Sequence, residues 1–560
     1  MPSAHELTMK REHIISQLYQ VIHTTVNRTL NKQESFGHTL TLEGDPYVSG
    51  KFALALSLLL ERGMEPEDQW RSVWPVLVAA PCDNWGKYYF LQALLKLKQH
   101  ESLERVLSAE QLATLRCKLN WQEMVEEGTW QLNPRFPTNF YGVAFSVARL
   151  RFLLGWESER ASQEILQRLL AHYRAHAQNG CADETNGHGR FDRYSVLLVA
   201  EICQRHLETG LEVADWLKAS LRQAVTLVLS MLNADGSGFQ WGRSIGAYGD
   251  SAFNEILAVS ARLGLLNSQE QAAASAFSQA CTDRFLHFWY DDDEQSVNLW
   301  FKGRQTDAYR AEHRLVGENI SLCVQHLNVQ QTWAHLPVLE ECAAGPLSPA
   351  FAFTAFRDEG FTRGLYLWHD GQRTFTLPLI NGDRPYHATS PYFPIPFSAG
   401  LLTGVAQGDA PLWVPGIYDQ HGRVLRPLVW FRACRHQKTA EGWEIVFDCD
   451  ALDVVFEEGD SVQEPQRDPD FTCRTRYLIA PGSVTREDTF TCPPGRARGV
   501  ELLAAVYDVH LPVTLQGYTD TERRCTTLCS PTGPLAQEIV GRRELSGQTQ
   551  LTVSWQVCYG

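Results

Sequence analysis

Four side chains in one stretch of this 560-residue sequence have the types needed to move a proton beside an acidic sugar. They are Asn139 in Thr138-Asn139-Phe140-Tyr141-Gly142, His188 and Tyr194 in Asn186-Gly187-His188-Gly189-Arg190-Phe191-Asp192-Arg193-Tyr194, and Arg243 in Trp241-Gly242-Arg243-Ser244. The intervals between them are 49, 6 and 49 residues. An amide, an imidazole and a guanidinium can neutralise a sugar carboxylate, which acidifies the proton on the adjoining carbon. A phenol or imidazole can then remove that proton, and the phenol can protonate the departing glycosidic oxygen. This is β-elimination, and it needs neither a metal nor an organic cofactor. An unperturbed phenol, with a pKa of about 10, is a poor base at neutral pH. A guanidinium nearby, such as Arg243, would favour the phenolate.

Each residue also has a plainer reading. Asn139 suits a helix N-cap, and a loop histidine is commonly just solvated. His188, however, is bracketed by Gly187 and Gly189 and sits beside Arg190, Asp192, Arg193 and Tyr194. Arg243 lies in a stretch from Asp235 to Gly249 that contains five glycines, with Trp241 and Tyr248 flanking it. Glycine permits backbone shapes that other residues resist, and loops carry function more often than cores do. Tyr141, Arg190, Arg193, Trp241 and Tyr248 are therefore the expected sugar-binding partners, with Trp241 and Tyr248 as stacking platforms. A second polar and aromatic loop, 381–393, offers Arg384, Tyr386 and His387 to close the same site, and residues 304–309 are a further candidate for its rim.

Two rival readings use the same regions. A glycoside hydrolase needs paired carboxylates, for which Asp183, Glu184, Asp192, Asp235, Asp250 and Glu255 are available. A non-catalytic glycan-binding protein needs only the aromatic rings.

The elements that must position these groups fall into two halves. Apolar residues recur at three- and four-residue spacing over 14–26, 53–60, 88–97, 143–154, 165–173, 196–206, 216–232, 253–265, 272–288 and 319–327, with weaker segments between them. About a dozen helices joined by alternating short and longer loops, without a clean repeat, predict an α/α-toroid over residues 1–335. From about Pro346 the texture becomes short β-branched and aromatic runs separated by Gly, Pro and Asp. Runs at 350–356, 364–368, 374–379, 425–431, 443–448, 453–456, 473–479, 483–490, 502–510 and 550–558 predict an antiparallel β-sandwich over 345–560.

Composition sets outer bounds. Fifty basic against 65 acidic residues give a net charge of −15, which disfavours nucleic acid or an anionic membrane as partner. It leaves room for an anionic oligosaccharide held by a local arginine cluster. No apolar run reaches signal-peptide or membrane-span character. The 14 cysteines are scattered without zinc-ligand spacing, which suits reduced thiols in a cytoplasm.

Three motifs resemble a bacterial family known as domain of unknown function 2264: Gly189-Arg190-Phe191-Asp192-Arg193-Tyr194, Gly242-Arg243-Ser244-Ile245-Gly246-Ala247-Tyr248, and His387-Ala388-Thr389-Ser390-Pro391-Tyr392-Phe393. More distantly, the order Asn, His, Tyr, Arg resembles the chondroitin AC and hyaluronate lyase superfamily, which joins an incomplete α/α-toroid to antiparallel β-sheets. That resemblance implies that Asn139 binds the uronate carboxylate and that His188 assists it or acts as base. It further implies that Tyr194 shuttles the proton and that Arg243 orients Tyr194. His188 and Tyr194 stand closer together here than in those lyases.

Overall fold

The computed structural model describes residues 4–64, 70–182, 191–301, 314–337, 347–357, 360, 362–380, 393–404, 411–428, 431–454, 466–526, 528–530 and 532–560. Of the sequence-predicted site residues, His188, Arg190, Arg384, Tyr386 and His387 lie outside this set, as do Asp183, Glu184 and residues 304–309.

Among the described residues, thirteen α-helices precede an all-antiparallel β region. Six of the helices form an inner ring, packed in the order Arg193–Glu208, Ala247–Arg262, Leu315–Ala334, Val48–Arg62, Asn84–Gln99 and Phe140–Leu153. Helices such as Ala4–Leu30, Arg160–His176, Asp215–Leu229 and Ser268–Arg284 pack outside them. The ring is loosest between Phe140–Leu153 and Arg193–Glu208, where a side chain on Gly142 would meet only Ile202. The inner helices run parallel, so their N-termini share one end. Three contacts establish this: Arg193 Nε donates to Tyr248 O at 2.9 Å, the Tyr248 hydroxyl donates to Glu318, and Gly317 lies against Asp45 and Lys51.

This is the α/α-toroid that the helical periodicity predicts. Inner helices are buried nearly all round, as the residues 48–59 illustrate, because they face both the ring and its outer layer. No helix among the described residues is long and apolar enough to cross a membrane.

The β half holds a six-stranded and a seven-stranded sheet, with a separate three-stranded sheet of Phe351–Phe356, Arg363–Asp370 and Arg373–Leu379. Strands Ser483–Thr491 and Gln550–Cys558 pair along their whole length and alternate buried with less buried residues, the two-residue period of a sheet with one covered face. Sequence periodicity finds both strands. It misses Gln537–Glu544 and the exposed edge Asp520–Cys525, whose charged residues hide the alternation. It also merges Val424–Arg426 with the start of Phe431–Lys438 into one strand.

The three-stranded sheet joins the halves beside Tyr194. Phe191 stacks on Phe356 with ring centroids 3.8 Å apart, and Asn179 Nδ2 donates to Ala355 O at 2.7 Å. On the far side of the sandwich, Arg486 is fully buried and donates to both oxygens of Asp488, at 2.7 and 2.9 Å, and to Pro394 O at 3.1 Å. Removing one member of such a pair leaves an uncompensated buried charge, at a cost of about 3–5 kcal/mol. Arg486→Leu is therefore expected to lose stability of that size in urea denaturation, and adding Asp488→Leu is expected to recover part of it.

Candidate functional site

The toroid's N-terminal end gathers Tyr194 and Arg243. Asp192 caps the helix Arg193–Glu208, its carboxylate accepting from Tyr194 N at 3.0 Å and Ser195 N at 3.4 Å, which fixes where the Tyr194 side chain starts. Arg243 arrives on the glycine-rich loop before Ala247–Arg262. That loop is closed by Asp250, whose Oδ1 accepts from Gly238 N at 2.7 Å. Its Oδ2 accepts from Trp289 Nε1 at 2.9 Å and Arg284 Nε at 3.1 Å. Gly238 is required here because a Cβ would lie 2.2 Å from Gly249 O.

The result is a stacked pair. The Arg243 guanidinium carbon lies 4.3 Å from the centre of the Tyr194 ring, and that of Arg193 lies 4.8 Å from it. The Tyr194 hydroxyl is hydrogen-bonded to Ser244 Oγ at 2.8 Å. Tyr194 is the one residue of 191–200 that is not buried, and Arg243 is the one residue of 236–254 that is not buried. Two otherwise sealed walls thus each present a single side chain, and the two touch.

Asn139 sits at the start of the inner helix Phe140–Leu153, across the loose sector of the ring from Tyr194. It occupies the N-cap position but makes no capping bond, and among the described residues its buried Oδ1 has no hydrogen-bond partner. A buried carbonyl left unsatisfied costs about 1–3 kcal/mol, so this amide is not explained by helix capping.

Other expectations are corrected. Trp241 is 2% exposed, packed edge-on against Phe239, and Tyr248 is 4% exposed with its hydroxyl on Glu318. Neither offers a free stacking face: both are apolar support behind the loop, because the loop folds inward around them. Arg193 is likewise buried and committed through Nε to Tyr248 O, and the Tyr141 hydroxyl accepts from Leu132 N at 3.0 Å. Of the four described carboxylates available to a hydrolase, Asp192 caps a helix, Asp250 closes the loop, and Asp235 accepts from Ser237 Oγ at 2.6 Å. Only Glu255 faces an open cavity.

Sequence reasoning missed Ser244, Glu318 and Arg314. Glu318 is fully buried and paired with Arg314 at 3.0 Å, and Arg314 also approaches Asp45 at 3.9 Å. The four-residue Arg314–Glu318 spacing at the start of an apolar helix was the available signal.

Deeper along the toroid axis lies a cavity of about 90 Å³ lined in part by Glu201 and Glu255. Burial first, and then the charge of Glu201, push the Glu255 carboxyl up to about 8, although Arg193 and Arg205 oppose this. Burial raises Glu201 as well.

No family model matches the sequence, and no curated protein matches it; the likeness to domain of unknown function 2264 rests on the three quoted motifs alone. Solved structures do match. Heparinase III is 9% identical over 94% of this chain and 80% of its own, with a TM-score of 0.56. The Streptomyces coelicolor A3 chondroitin AC lyase, solved in complex with chondroitin sulphate, is 11% identical over 99% of this chain and 82% of its own, with a TM-score of 0.50. At such identities the likeness shows the fold: an α/α-toroid followed by antiparallel β-sheets, shared with polysaccharide lyases.

The raised Glu255 has a stability consequence. Between about pH 4.5 and 8 the folded state holds a proton that the unfolded chain has released, so stability falls as pH rises through that window. Glu255→Gln removes the effect. Thermal denaturation should show the variant gaining on the wild type from pH 5 to 8, by up to a few kcal/mol, since each decade of proton affinity is worth about 1.4 kcal/mol.

Proposed function

We propose that this chain is a lyase that cleaves a uronate-containing oligo- or polysaccharide by β-elimination. The observation that carries the reading is the Tyr194–Arg243 pair, with ring and guanidinium 4.3 Å apart and each the sole solvent-reaching residue of its wall. Two guanidinium groups beside the phenol stabilise negative charge on its oxygen, and the Ser244 hydroxyl at 2.8 Å holds that oxygen in place. In this reading Tyr194 takes the proton next to the carboxylate and returns it to the glycosidic oxygen. Arg243 orients Tyr194, and Asn139, with His188 as its partner, binds the carboxylate. Arg190, Arg384, Tyr386 and His387 complete the proposed substrate contacts. The motif likeness to domain of unknown function 2264 and the shared fold of the lyases support the same reading. The capping and loop-closing bonds of Asp192 and Asp250 count against the hydrolase, because they occupy the carboxylates it would use.

The test is a screen of uronate-bearing glycans read by the ultraviolet absorbance of the 4,5-unsaturated product. Tyr194→Phe should lose at least about a hundredfold in turnover, the low end of what a positioned proton-transfer group contributes. Ser244→Ala should lose roughly two- to tenfold, the worth of one hydrogen bond. A Tyr194→Phe protein with full activity, or saturated product ends, would defeat the proposal.

A further inference from the structure

The axial cavity lies apart from Tyr194 and Arg243 and has its own chemistry. Its wall includes a continuous aromatic run: Trp85 meets Tyr88 edge-on at 6.0 Å, and Tyr88 meets Tyr89 at 5.2 Å. Glu201 and Glu255 face it from neighbouring helices, with Gln325 beside them. Its volume of about 90 Å³ holds several water molecules, each of which needs roughly 10–15 Å³, and so matches a molecule of monosaccharide size.

The charges facing Glu255 do not cancel. Arg205 is ion-paired to Glu208 and lies 4.3 Å from the centre of the Tyr88 ring, so its charge is already neutralised. Arg193 is bonded to Tyr248 O. Tyr88 and Tyr89 are held neutral by burial. That leaves the two carboxyl groups of Glu201 and Glu255 in an aromatic enclosure. Among the described residues, Glu255 Oε1 is buried and has no hydrogen-bond partner. Carboxylates with aromatic faces are the recognition chemistry of an ammonium group.

We propose that this cavity is a second binding site, taking a small ammonium-bearing ligand of about monosaccharide size against Glu255 and Glu201. On entry the ammonium takes the place of the proton that Glu255 otherwise holds, and that proton leaves to bulk solvent. The site is independent of the lyase reading, since it shares no residue with the Tyr194–Arg243 pair.

The experiment is isothermal titration calorimetry on the full chain with glucosamine, putrescine and glucose, each in two buffers of different ionisation enthalpy. Glucosamine or putrescine should bind at least about tenfold more tightly than glucose and release close to one proton at pH 7. Affinity should rise by up to about tenfold per pH unit between pH 6 and 8, as expected when a single proton is displaced. Binding of glucosamine alone identifies an amino sugar; equal or better binding of putrescine identifies a simple amine. Glu255→Gln should abolish proton release and weaken binding at least tenfold, and Glu201→Gln should weaken binding while proton release persists. Glucose binding as well as either amine, no amine binding at millimolar concentration, or unchanged binding by Glu255→Gln would each overturn the proposal.

Discussion

The carboxylate of Asp250 is the constraint on which the candidate site depends. It is 3% exposed and accepts hydrogen bonds from a loop amide, an indole and a guanidinium. Burial raises its proton affinity, while Arg284, the Gly238 amide and the Trp289 indole oppose that rise. Those donors come from the glycine-rich loop, from helix Ser268–Arg284 and from the turn that follows it, so one side chain ties the loop to the outer layer of the toroid. With the loop fixed, Ser244 takes a left-handed φ of 58°, and Arg243 and Ser244 reach the ring and hydroxyl of Tyr194. Without that anchor, five glycines would leave Arg243 free to explore many positions.

The toroid supplies the other half of the arrangement. Parallel inner helices bring their N-termini to one end, where backbone amides and helix dipoles favour negative charge. Tyr194 lies in the first turn of one helix, Tyr248 in the first turn of the next, and Glu318 in the first turn of a third. Glu318 is negative and buried there, and Arg314 and the Tyr248 hydroxyl satisfy it. The same end can hold an anionic substrate only at side chains not already paired in this way.

Much of this was legible in the sequence, for physical reasons that also explain the failures. Helices such as Arg193–Glu208 and Ala247–Arg262 were readable because core packing imposes a 3.6-residue period on apolar positions. Tyr194 and Arg243 were readable as a pair of chemical types in Gly-rich contexts, though their contact depends on a fold that spacing alone does not encode. Trp241 and Tyr248 were misjudged because an aromatic residue beside a charge looks the same in sequence whether it faces solvent or supports a loop from behind. The strand Gln537–Glu544 escaped because charged residues interrupt its alternation, and Glu318 because a buried ion pair resembles a surface one until coordinates show its surroundings.

The thin packing between Phe140–Leu153 and Arg193–Glu208 gives the toroid a seam. Gly142 faces Ile202 across it with no side chain of its own, so little dispersion energy resists a small separation of the two helices. Asn139 rides on one lip and Tyr194 on the other. Slight breathing of that seam would therefore act as a calliper, changing the span between the amide and the phenol while leaving the grip of Arg243 on Tyr194 intact.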